Sequence, residues 1–269
     1  MRIATLGPEG TFSNEAVLKY SKKAQIVFQK TVWDVFEAVK LKNADLGVAP
    51  IESSVSGTEG LTLDALMNFD LNIVGEEILP IKHNLAAFGA PRDIKTIYAH
   101  PQTHAQCERY LRENLPDAEI IHTSSNGKSA ELLAKSQKAD KAAVIPKLAS
   151  QKYKLNLIKE AIQDNKFNVT RFIIIGEKCP GKTGRDRTSI TIYPQADRPG
   201  LLYELLGIFA KRKINLTKIE SRPSKGKLGD YIFFIDLQGH KDDKNVKEAF
   251  SIIEKSFFLK VLGSYPRKY

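Results

Sequence analysis

The chain has 269 residues, 42% hydrophobic and 27% charged, the make-up of a soluble globular protein long enough for two cores. No stretch reaches the roughly 18 to 20 unbroken apolar residues of a membrane helix. Met1 to Leu6 is too short for a signal-peptide core and is interrupted at once by Gly7-Pro8-Glu9, so a cytoplasmic protein without a membrane partner is expected.

The formal charge of +10 is unevenly spread: residues 1–175 hold 22 Lys+Arg against 20 Asp+Glu, and residues 176–269 hold 19 against 11. The basic residues of the C-terminal third, such as Lys211-Arg212-Lys213 and the turn lysines Lys225 and Lys227, lack the interleaved aromatics of a base-stacking surface, which argues against a nucleic-acid partner. Cys107 and Cys179 lie far apart in unlike settings and are expected to be reduced thiols.

In chain order, short β-type runs alternate with helical patterns. Ile3 to Leu6 is followed by a helix near 14–20, then by Ile26 to Phe28 and a helix near 31–41. That second helix places Val32, Val35, Phe36 and Val39 on one face, a stripe to be buried. Strands at Leu46 to Ala49, Thr96 to Ala99, Glu119 to Ile121 and Ala142 to Ile145 alternate with helices at about 102–114 and 129–136. The pattern predicts an α/β architecture.

Residues 176–186 are rich in glycine and charge without an apolar period, as in an interdomain linker. Beyond them the order is strand (188–193), helix (199–212), strand (215–221), strand (230–237), helix (243–255), strand (258–262). The two helices carry stripes at Leu202, Leu205, Leu206, Phe209 and at Val246, Ala249, Phe250, Ile253. The βαββαβ order predicts a ferredoxin-like domain.

Several strand-to-helix junctions carry hydroxyl and amide side chains: Thr11 and Ser13, Ser53 and Ser54, Thr103, Thr123 to Asn126, and Thr170. Such junctions expose helix N-terminal N–H groups and suit an oxygen-rich anion; each residue could equally serve as a helix cap. His100, His104 and Cys107 offer no fourth ligand, and His100 lies off the helical face, so neither a metal nor another cofactor is expected.

Six motifs occur in one order along the chain: G-P-E-G-T-F-S at 7–13, A-P-I-E-S-S at 49–54, H-P-Q-T-H-A-Q-C at 100–107, N-V-T-R-F at 168–172, D-R-P-G-L-L at 197–202 and E-S-R-P at 220–223. Together they resemble the motif set of prephenate dehydratases that carry a C-terminal ACT domain. Ser53 stands where that family usually has asparagine, and residues 124–130 lack its alanine-rich tail. His104 replaces a usually apolar residue.

The resemblance implies a catalytic domain over about 1–180, folded as two lobes like a type 2 periplasmic binding protein, with substrate in the cleft between lobes of about 1–78 and 79–175. An ACT domain would follow over 186–269. It also implies conversion of prephenate to phenylpyruvate, with loss of carbon dioxide and water, in phenylalanine biosynthesis. Arogenate dehydratase and a non-catalytic amino-acid-sensing protein are the alternatives.

Thr170 is the family's candidate to donate a hydrogen bond or proton to the departing hydroxyl, and Glu52 is a second candidate acid. A cation on the departing carboxylate would stabilise the ground state, so positive charge should face the other carboxylate. Arg171, or N–H groups near Thr11 and Ser13, are expected there. Ser53, Ser54, His100, Gln102, Gln106, Thr123, Ser124 and Phe172 complete the expected substrate site.

The ACT resemblance implies feedback by L-phenylalanine, bound between Asp197, Pro199, Gly200, Leu201 and Leu202 of one motif and Asn215, Glu220, Ser221, Arg222 and Pro223 of the facing strand. It further implies a homodimer or homotetramer joined through the ACT sheets.

Overall fold

The apolar runs and amphipathic stripes before residue 176 build two α/β lobes in the computed structural model, which describes residues 1–195, 198–224 and 230–269. The first lobe contains β1 (Arg2–Leu6), α1 (Phe12–Tyr20), β2 (Gln25–Gln29), α2 (Val32–Lys40), β3 (Leu46–Ser53), β4 (Gly57–Thr58), α3 (Gly60–Asn68) and β5 (Asn72–Pro80). The second contains β6 (Asn84–Ala87), β7 (Thr96–Ala99), α4 (Pro101–Gln106), α5 (Glu108–Asn114), β8 (Glu119–His122), α6 (Asn126–Ser136), β9 (Lys141–Ile145), α7 (Lys147–Tyr153) and β10 (Leu157–Lys159). The chain then returns through β11 (Val169–Gly176).

The first sheet has the order β2-β1-β3-β11-β5, with β4 beside β3; the second has the order β10-β6-β9-β7-β8. The chain therefore crosses between lobes twice, once after β5 and once before β11. This is the expected two-lobed arrangement with one difference: β11 lies in the first sheet, so residues 169–175 do not belong with the second lobe.

Local chemistry accounts for the elements. The stripe Val32, Val35, Phe36 and Val39 of α2 is buried as its period predicts, and Thr31 with Asp34 forms a capping box at its start. One predicted helix, 102–114, is instead two. It breaks at Cys107 (φ −123°, ψ 11°), where the Asp164 carboxylate, distant in sequence, accepts from the amides of Arg109 and Tyr110 at 3.0 and 3.2 Å and starts α5 anew.

The chain divides into two compact units, Met1–Phe69 with Glu77–Ile173, and Asp70–Glu76 with Ile174–Tyr269. Within the second unit lie β12 (Asp186–Pro194), α8 (Leu201–Lys211), β13 (Leu216–Pro223), β14 (Tyr231–Gln238), α9 (Lys244–Ile253) and β15 (Phe257–Pro266). Its four strands form an antiparallel sheet in the order β13-β14-β12-β15, the βαββαβ fold expected.

The predicted α9 stripe is buried in full. In α8 the buried residues are Leu201, Leu205 and Phe209, while Leu202 is 38% exposed. The helix starts at Leu201 behind Gly200 at φ 82°, and the i, i+4, i+8 face therefore begins one residue earlier than predicted. Also in this unit, Arg187 and Glu76 form a fully buried ion pair at 2.6 Å, with the Tyr269 ring 4.2 Å from the guanidinium carbon. Among the described residues no helix is long and apolar enough to cross a membrane.

Candidate active site

The carboxyl ends of β1, β2, β3 and β7, with the loop after β8, converge between the lobes of the first unit, where open α/β sheets place their ligands. They enclose a cavity of about 300 Å³. Leu6 ends β1 and leads through Gly7 to Thr11, Phe12 and Ser13 at the start of α1; Lys30 follows β2; Pro50 lies within β3 and Ser53 closes it. The second lobe contributes His100, Gln102, Thr103 and Gln106 around α4, and Ser124, Ser125 and Asn126 at the start of α6. Thr170 and Phe172 enter from β11.

The starts of α1 and α6 therefore border the cavity and bring their positive dipole ends to it, a setting for carboxylates. Thr11 accepts from the Asn14 amide at 3.3 Å and donates to the Leu6 carbonyl at 3.2 Å. Its capping role and its place in the cavity wall coexist. The Thr103 hydroxyl donates to the Asn126 side chain at 2.7 Å and ties the starts of α4 and α6 together.

A second network joins the lobes. The Gln106 carbonyl oxygen accepts from Asn168 and meets His83 Nε2, both at 2.8 Å, while the amide nitrogens of Gln102 and Gln106 donate to the Ser56 hydroxyl at 3.0 and 3.2 Å. Ser53 shapes that loop by accepting from the amides of Val55 and Ser56, both at 3.2 Å. His83 packs edge-on against Phe12 at 5.3 Å between centroids. Burial drives its pKa down to about 4, so the ring is neutral near pH 7. Burial, with His122 nearby, also lowers His100.

Of the expected residues, Thr11, Ser13, Ser53, His100, Gln102, Gln106, Ser124, Thr170 and Phe172 line the cavity together. Four others sit elsewhere. Arg171, 3% exposed, pairs with the Glu52 carboxylate at 3.3 Å. Side chains alternate along a strand, so Thr170 and Phe172 on one face of β11 put Arg171 on the other. Neither Arg171 nor Glu52 lines the cavity; the two face each other behind its wall.

Ser54 is spent pinning β3 to β11, donating to the Phe167 carbonyl at 2.9 Å and accepting from the Val169 amide at 3.0 Å. Thr123 turns inward to the Ser125 carbonyl and the Ser129 hydroxyl, at 3.1 and 2.7 Å. Lys30, Glu59 and His83 line the cavity without having been anticipated. Lys30 is the one Lys or Arg, and Glu59 the one Asp or Glu, among the described lining residues.

In the second unit, Pro199 and Gly200 precede α8, and the Leu201 amide donates to the Arg198 carbonyl at 3.2 Å. Asn215 is held through its carbonyl by the Gln238 amide at 2.9 Å. Glu220, Ser221, Arg222 and Pro223 lie along β13, which ends the sheet, with Ser221 and Pro223 exposed and Glu220 and Arg222 half-buried. Asp197 and the turn lysines Lys225 and Lys227 lie outside the described residues.

Comparison with known proteins places this geometry. A family model described as prephenate dehydratase matches residues 3–180, and one described as ACT domain matches residues 188–254. The chain is 41% identical to a bifunctional chorismate mutase/prephenate dehydratase of Aquifex aeolicus, over 99% of this chain and 74% of that protein. It is 39% identical to the prephenate dehydratase of Methanocaldococcus jannaschii, over 96% of each. The crystal structure of prephenate dehydratase from Arthrobacter aurescens in complex with L-Phe superposes with a TM-score of 0.91 at 36% identity, covering 99% of this chain and 90% of that one. The chain belongs to the prephenate dehydratase family and carries a C-terminal ACT domain.

Proposed function

We infer that this protein is a prephenate dehydratase, a decarboxylating lyase that converts prephenate to phenylpyruvate. The observation that carries the reading is a cavity of about 300 Å³ that gathers Thr170, the starts of two helices and a single lysine, in a chain of this family. Prephenate is a dianion that becomes aromatic when one carboxylate leaves as carbon dioxide and the ring hydroxyl leaves as water. The protein has to hold the retained carboxylate, leave the departing one loosely held, and help hydroxide go.

Thr170 donates a hydrogen bond to that hydroxyl. Lys30 and the first amides of α1 hold the pyruvyl carboxylate, because a cation on the departing carboxylate would oppose its conversion to neutral carbon dioxide. Gln102 and Gln106, oriented by Ser56, fix the ring between the lobes. Arg171 and Glu52 act behind this wall by setting the position of β11. Incubation of the purified chain with prephenate, followed by ultraviolet absorbance of phenylpyruvate, tests the reading; absence of product at micromolar enzyme overturns it.

The ACT domain supports regulation by L-phenylalanine, which the Arthrobacter relative holds. The effector would bind where the turn before α8 meets β13, with Pro199, Gly200, Leu202, Glu220 and Ser221 at the contact. A second copy of the chain would complete the site along the sheet edge, giving a dimer or tetramer. Inhibition and mass by light scattering, measured with and without phenylalanine, check both statements.

A further inference from the structure

A carboxyl is an unexpected member of a pocket for a dianion. Glu59 is nevertheless part of the cavity wall that holds Thr170. It occupies the residue before α3, and its carboxyl makes no capping hydrogen bond to that helix. Its backbone is fixed by donation from its amide to the Ile51 carbonyl at 2.9 Å, and the Thr62 and Leu63 amides donate to its own carbonyl at 3.1 and 3.3 Å. The side chain is thus anchored at its root, with its carboxyl close enough to the Gln102 amide to feel it.

We propose that Glu59 is the acid that supplies the proton to the departing hydroxyl of prephenate. The inference rests on the dehydratase reading above and adds to it the source of the proton. As the Glu59 O–H bond breaks, its proton passes to the ring hydroxyl oxygen and the ring C–O bond breaks, releasing water. The electron pair of the bond to the departing carboxylate moves into the ring and carbon dioxide leaves. Glu59 remains as a carboxylate and is reprotonated from solvent, so one proton is consumed per turnover.

The other groups around the cavity fit this role less well. Thr170 is a far weaker acid than a carboxylic acid and serves better as the orienting donor. His83 is neutral near pH 7 because burial drives its pKa down to about 4, and His100 is also lowered by burial. Lys30 is exposed at the rim. Burial raises the Glu59 carboxyl above its usual range, partly opposed by the Gln102 amide, which keeps a protonated fraction to higher pH than a free glutamate would.

The charged and titratable groups facing Glu59 across the cavity are Lys30, His83 and His100. Lys30 is the one lysine among them, and binding a substrate dianion would push the carboxyl further toward its protonated form. Activity should therefore fall as pH rises through the raised Glu59 value.

The test compares the full wild-type chain with Glu59→Gln and Glu59→Asp, using prephenate turnover across pH and binding of phenylpyruvate as a folding and site-integrity readout. The proposal expects Glu59→Gln to bind phenylpyruvate like wild type, to lose about 10²- to 10⁴-fold in kcat, and to lose the basic limb of the kcat profile. Glu59→Asp should recover part of the rate with a shifted limb.

A Glu59→Gln enzyme with wild-type kcat and profile overturns the proposal, and so does one whose KM rises while kcat holds. If Gln fails to fold, a Glu59→Asp protein with an unshifted profile overturns it instead. An inactive wild type would defeat the dehydratase reading itself, which separates the two failures.

Discussion

Thr170 and Arg171 are adjacent in the chain and serve opposite faces of β11: the threonine borders the cavity, and the arginine is buried behind it against Glu52 at 3.3 Å. Strand alternation forces this division. The pair consequently splits into a group that meets the substrate and a group that holds the strand carrying it.

Replacing Glu52 with Gln removes an anion from the buried Arg171 guanidinium, whose partner carboxylate is one-third exposed. The expected cost is about 2 kcal/mol of stability, discounted for that exposure, with turnover per folded molecule close to wild type. Urea unfolding and active-site-normalised kcat check it. Unchanged stability with lost turnover would return Glu52 to an acid role.

Lys30, the cation of the cavity wall, should matter to binding more than to rate. Lys30→Met is expected to raise KM by about tenfold or more while kcat changes little, as for loss of one charge-assisted hydrogen bond. Wild-type KM should also rise with added salt, and that of the variant much less. A fall in kcat at constant KM would contradict the assignment.

His83 gives a pH prediction of definite sign. Its folded pKa of about 4 lies below the unfolded value near 6.5, so the unfolded chain binds the proton first as pH falls. Stability is therefore lost between about pH 6.5 and 4, on the order of 3 kcal/mol from this residue. Urea midpoints for wild type and His83→Asn should converge as pH drops through that window. Parallel curves would remove His83 as the source.

The amphipathic stripes of α2 and α9 are legible from spacing alone, because each helix buries one face against one sheet. The motifs likewise locate most of the cavity wall, since they mark strand ends and helix starts. The division between Thr170 and Arg171 depends on strand phase, which a motif of adjacent letters leaves open until the strand is identified. Lys30 and His83 follow or precede short strands without any distinguishing neighbours, and only the fold brings them to the cavity. The break at Cys107 depends on Asp164, 57 positions along the chain from it, and has no local breaker residue.

The most direct measurement is steady-state turnover of prephenate by Thr170→Val, a near-isosteric change that removes only the hydroxyl facing the cavity. Hydrogen-bond donation by Thr170 predicts a folded protein that binds phenylpyruvate normally and loses about 10²- to 10⁴-fold in kcat. Turnover at the wild-type rate would contradict it.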